Sequence, residues 1–125
     1  AGAPRRERLA QAMTGLHERG EALLQQLWEG LQAMDGVTLY GPPPGTPRTP
    51  TLSFRVHGMP SEDVARALAP RGVYVSHGDF YATTVARRLG VAEEGLVRAG
   101  CACYTSADEI SRLLDGVAQL KRGVR

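Results

Sequence analysis

The sequence predicts an α+β fold: a small sheet of three to four strands, helices packed on one face, and a long N-terminal helix. Three observations carry this. Apolar residues recur at helical spacing over the first thirty or so positions, Thr51 to His57 alternates apolar and polar side chains, and strand-like runs are then followed by capped helical ones. With 125 residues the chain has room for one core, and 42% apolar with 22% charged residues is a globular composition.

Leu9, Met13, Leu16, Leu23, Leu27, Leu31 and Met34 form one stripe on a helix from Arg5 to Met34. Pro4 suits its first turn, Asp35-Gly36 supplies the stop, and Gly15, Gly20 and Gly30 are expected to bend or loosen it. Such a helix is about 45 Å long. A chain of this size has a radius of gyration of about 14 Å, so part of the stripe should pack on something outside the chain.

Val37–Tyr40 reads as a short strand, and GPPPGTPRTP as a rigid connection that can continue neither helix nor central strand. In Thr51–His57, Leu52, Phe54 and Val56 point to one face and Ser53, Arg55 and His57 to the other. Ser61 is placed to cap a helix whose inner face is Val64, Ala65, Leu68 and Ala69, limited by Pro70 and Gly72. Gly72–Ser76 is the next strand, and a loop from His77 to Tyr81 leads into a helix ending near Leu89-Gly90. Leu96–Tyr104 is the last strand. Ser106 and Glu109 form a capping box for a final helix with Ile110, Leu113, Leu114, Val117 and Leu120 inside, and the tail KRGVR is expected to be a solvated end. The first helix is expected to lie across the end of this sandwich.

Composition also limits function. A net charge of +2 with scattered basic residues argues against nucleic acid as a partner, and the absence of a long apolar run argues against a membrane, leaving a cytoplasmic protein as the expectation. Cys101 and Cys103 lack zinc spacing and are expected on the core face, so no metal site is predicted. Lys121 is the only lysine among 15 basic residues.

Alternation in Leu96–Tyr104 puts Val97, Ala99, Cys101 and Cys103 on one face and Arg98, Gly100 and Ala102 on the other. The small neighbours leave space beside a five-donor planar cation suited to a carboxylate, although a snorkelling surface arginine or an ion pair fits the same pattern. His77, Asp79 and Tyr81 put an imidazole, a carboxylate and a phenol within five residues. A turn with a capping aspartate and anchoring aromatics accounts for them equally well. His17 and His57 are read as surface residues without partners.

The segments TPTLSFRVHGMPSEDVARALAPRGVYVSHGDFYA and LVRAGCACYTSADEISRLLDGVAQL, in this order, resemble the C-terminal small domain of class V aminotransferases, and within them the cysteine-desulfurase-like group. The resemblance covers nearly the whole chain. It implies a fold-type I enzyme that uses pyridoxal 5′-phosphate as a homodimer, with the active site between a large and a small domain. Residues 1–35 would be the linking helix, residues 36–125 the small domain, and the chain a fragment of a larger enzyme. By the same resemblance Arg98 falls on the arginine that grips the α-carboxylate of an amino-acid substrate, and Tyr104-Thr105-Ser106 on a turn where the family usually has asparagine in place of Thr105.

Tyr81 stands where the desulfurases carry their persulfide-forming cysteine, and a phenol cannot accept sulfur as a thiolate does. Persulfide chemistry in its familiar form is therefore not expected. Transamination, racemisation or elimination at the α- or β-carbon stay open. The cofactor lysine, the aspartate at the pyridine nitrogen and the phosphate cup would belong to a large domain absent from this sequence, so the isolated chain is expected to be inactive. Two rival readings remain: a stand-alone module holding a small carboxylate on the arginine face, and a dimerisation domain built around the first helix.

Overall fold

The computed structural model describes residues 2–123, beginning with α1 (Arg5–Gln32), whose first turn is closed by the Arg8 N–H donating to the Pro4 carbonyl at 3.1 Å. The helix ends two residues before Met34, where the Met34 N–H turns back to the Leu31 carbonyl at 3.1 Å and tightens the last turn. It is continuous through Gly15, Gly20 and Gly30, which therefore do not break it. Gly30 instead permits a close approach: a Cβ there would sit 2.4 Å from Leu114 Cδ1 on the last helix.

Four strands form one antiparallel sheet in the order β1-β2-β4-β3. They are β1 (Val37–Tyr40), β2 (Thr51–Val56), β3 (Ser76–Gly78) and β4 (Leu96–Gly100). Phe54 opposes Val97 and Leu52 opposes Ala99, so the two central strands turn their apolar side chains to the same face. That face receives Leu24, Leu27 and Leu31 of α1, Val64 and Leu68 of α2 (Ser61–Leu68), and Ile110, Leu113 and Val117 of α4 (Ala107–Gly123), making one continuous core. Each fully buried leucine or phenylalanine contributes roughly 1.5–3 kcal/mol. A short α3 (Thr83–Arg88) lies between β3 and β4 in the chain, with Ala86 buried.

The architecture is the α+β arrangement read from the sequence. Only the C-terminal half of the first helix joins the core, through Leu23, Leu24, Leu27 and Leu31. Every described residue before Gly20 is exposed, including Leu9, Met13 and Leu16, which leaves the first half of the stripe uncovered.

Other local expectations are corrected. Ser61 is the first helical residue and is buried, while Pro60 holds the cap position and its carbonyl accepts from Asp63 and Val64. The strand expected at Gly72–Ser76 forms at Ser76–Gly78. Gly72 takes a left-handed conformation (φ 72°) and the Val73 N–H still reaches back to Leu68, so the chain is leaving α2 where the ladder was expected to begin. His77 and Gly78 are thus strand residues.

β4 stops at Gly100, four residues early. The Cys101 N–H still donates to the Pro50 carbonyl at 2.8 Å, but a turn follows in which the Ala102 N–H donates to Thr105 Oγ1 and the Thr105 N–H to the Ala102 carbonyl. Alternation ends with the strand, so Cys103 is exposed instead of buried and Cys101 is half-buried. The expected capping box is present, with the Ser106 N–H donating to Glu109 Oε2 at 2.8 Å and the Glu109 N–H to Ser106 Oγ at 3.3 Å. The side chains of the KRGVR tail, Lys121 among them, lie outside the described residues.

Candidate functional site

The sheet face opposite the core carries Ser53 and Arg55 from β2, Arg98 and Gly100 from β4, and Ser76 from β3, because residues paired across an antiparallel ladder share a face. Ser53 and Ser76 both stand opposite Arg98, one on each side. Arg55 is paired with Glu94, whereas Arg98 is exposed and has no carboxylate within ion-pair distance among the described residues.

Arg98 lines an open groove of about 550 Å³ together with Thr49, Thr51, Ser76 and Gly100, and with Tyr74 at its rim. Gly100 has no side chain to fill it. A Cβ there would meet only Thr51 Oγ1, at 3.5 Å. The wall formed by Thr49 and Thr51 is fixed from behind by Arg48, which donates to both of their carbonyl oxygens. A second cavity of about 320 Å³ adjoins it through Tyr74, Val75 and Gly100 and is floored by the core residues Leu27, Ala99 and Leu113. The two meet where Val73–Val75 runs beside β4 without pairing to it.

One aromatic ring lies against Arg98. The guanidinium carbon of Arg98 lies 4.1 Å from the centroid of the Phe80 ring, a stacked cation–π contact. Phe80 and Tyr81 both have positive φ, 54° and 61°, in the turn after β3. Asp79 supports that turn: its Oδ1 accepts the Tyr81 N–H at 3.1 Å and its carbonyl accepts the Ala82 N–H at 2.9 Å.

The three polar residues of this segment are not gathered around Arg98. His77 stands opposite Val97, on the other sheet face, and lines a separate small depression with Asp79 and Glu94. Tyr81 is fully exposed, and Asp79 is engaged in its own turn. Phe80, read beforehand only as an anchor, is the one that touches the arginine. Its contact depends on the left-handed turn, which alternation does not reveal.

The other histidines have neighbours after all. His57 Nε2 is 2.6 Å from Thr38 Oγ1, and His17 Nε2 is 3.9 Å from Glu21 Oε2. Burial pushes the Cys101 thiol above its ordinary value. Among the described residues no cluster of His, Cys, Asp or Glu could hold a metal ion, and no helix is long and apolar enough to cross a membrane.

An exposed, unpaired arginine with one face covered by a ring and its edge free can accept a carboxylate through two parallel N–H donors. The described residues do not fit pyridoxal phosphate itself, since they present no lysine amine for a Schiff base and the single lysine falls in the C-terminal stretch.

Comparison with known proteins places this geometry in context. The family described as Aminotransferase class-V matches residues 9–113. A probable cysteine desulfurase 2 of Mycobacterium leprae is 37% identical over 101 residues, 81% of this chain and 23% of that protein. The apo structure of the cysteine desulfurase from Thermococcus onnurineus superposes with a TM-score of 0.78 at 30% identity, covering 86% of this chain and 26% of the other. A cysteine desulfurase from Escherichia coli, at 21% identity, shares the fold with a TM-score of 0.74, over 85% of this chain and 25% of the other. The chain therefore spans about a quarter of the length of the relatives it matches.

Proposed function

Since the chain belongs to the aminotransferase class-V family, we propose that it is the C-terminal small domain of a cytoplasmic pyridoxal-phosphate-dependent homodimer acting on an amino acid, and that Arg98 binds the substrate α-carboxylate. Residues 36–125 form the small domain and residues 1–35 the segment linking it to a large domain that binds the cofactor. One observation above all supports the reading: Arg98 is the arginine of the polar sheet face that is exposed, without an ion-pair partner among the described residues, and set in an open groove. The uncovered Leu9, Met13 and Leu16 of α1 give the rest of the protein a surface to pack on.

Arg98 contributes binding and orientation. Holding the carboxylate through two N–H donors fixes the substrate at one end and limits its rotation. Thr51 and Ser76 border the position and can hydrogen-bond oxygens that the guanidinium leaves unmatched. Tyr81 is fully exposed and stands where the resemblance puts the desulfurases' thiol, and a phenol cannot carry sulfur, which speaks against persulfide chemistry in its familiar form at that position; desulfuration by another route, transamination, racemisation and elimination stay open.

The absorbance spectrum of the full-length protein tests the assignment. A band near the visible edge that is lost on borohydride reduction, with the label on one lysine outside residues 1–125, is expected. A protein of full length with no such band and no labelled lysine contradicts the enzyme reading and leaves the binding module.

A further inference from the structure

We infer that Phe80 is a positioning residue for Arg98, covering one side of the guanidinium and holding it so that its N–H edge is offered to the ligand; this rests on the carboxylate-binding role proposed for Arg98. The ring, with its centroid 4.1 Å from the guanidinium carbon, shields one side of the cation. A long arginine side chain alone on an open sheet face samples many rotamers and loses them when it binds. A ring against one face removes part of that freedom beforehand.

The backbone indicates that the ring is placed, not incidental. Phe80 and Tyr81 are the only residues other than glycine with positive φ among the described residues, and they are adjacent. Side chains are strained there and persist where the surroundings over-determine them. The Asp79 carboxylate, accepting from the Tyr81 N–H, holds the turn that sends the Phe80 ring onto Arg98 while Tyr81 is left fully in solvent. The ring closes the face of the guanidinium through which an anion could approach from above.

Calorimetric titration of the full-length protein with propionate, which has the carboxylate and no reactive amine, tests this. Phe80→Leu should weaken propionate binding about 3- to 10-fold, while Phe80→Tyr keeps it near wild type. Substrate KM should rise in the leucine variant with kcat unchanged. The Arg98 δ-proton resonances should be shifted upfield by the ring in wild type and Phe80→Tyr and not in Phe80→Leu, which checks the contact itself, while the rise of KM at unchanged kcat is the readout that a merely structural role would not produce. Phe80→Met, of similar bulk without a ring, takes the place of leucine where that variant fails to fold. If Arg98→Ala loses propionate and the ring-less variants bind it like wild type, the role of Phe80 is overturned while that of Arg98 stands. If Arg98→Ala binds propionate unchanged, both fall.

Discussion

Gly100 separates the stability of the sheet from the use of its open face. It lies two residues beyond Arg98 on the same face, is exposed, and pairs with Thr51. An added Cβ meets one atom, Thr51 Oγ1, at 3.5 Å, which is ordinary contact. Gly100→Ala should therefore be accepted without strain and stabilise the fold by about 0.5–1 kcal/mol, since alanine loses less backbone freedom in a strand. Gly100→Leu extends into the groove beside the guanidinium, where a ligand would lie. Losing one charge-assisted contact of about 1.5–3 kcal/mol corresponds to a roughly 10- to 100-fold rise in KM. Thermal melting and steady-state kinetics of the full-length protein, run on both variants, check the pair. A leucine variant that melts like wild type and keeps its KM within about twofold refutes the placement of substrate against Arg98 and Gly100.

Three further outcomes follow from exposed and half-buried side chains. A thiolate-directed reagent should label Cys103 before Cys101, and Cys103→Ser should remove the fast phase; persistence of that phase contradicts the turn at Ala102–Thr105. Because burial raises the Cys101 thiol above its ordinary 9.0, the associated stability is held below that pH and is lost as pH climbs through the raised value, which a melt series from neutral to strongly alkaline pH will show. The isolated chain should self-associate at micromolar concentration through Leu9, Met13 and Leu16, and replacing all three by glutamate should give a monomer in sedimentation. A wild-type chain that is already a clean monomer contradicts this.

Much of the fold is legible where one period governs a segment. The alternation of Leu52, Phe54 and Val56 is one, since that strand is central and covered on one side only, and its three apolar residues are all buried. The capping box at Ser106 and Glu109 is another, because its reciprocal hydrogen bonds are local. What escapes is set by neighbours distant in sequence. Leu24 falls beside the expected stripe of α1 yet is wholly buried, because the core wraps further round that helix than its spacing implies. Cys103 leaves the core face because Thr105 turns the chain, and β3 slides by the residues that Gly72 and Val73 use to leave α2.

The site divides in the same way. Arg98 with a small residue beside it is readable from period-two geometry. Phe80 is not, since its place over the cation depends on two successive left-handed residues that nothing in their types announces; aromatic side chains are poor candidates for that conformation. His77, close to Asp79 in sequence, lies on the opposite sheet face from Arg98 by a single step of register.

The most direct test of the central claim is the kcat/KM of the full-length enzyme carrying Arg98→Ala and Arg98→Lys, measured with its amino-acid substrate alongside thermal melts. A lost charge-assisted pair is worth about 2–3 kcal/mol, so the alanine variant should fall by on the order of 10²-fold, with its melting temperature little changed because the side chain is exposed. Lysine should also be impaired, since an ammonium cannot reproduce the two-pronged contact. An unchanged kcat/KM in Arg98→Ala contradicts the account and turns attention to the segment from His77 to Tyr81.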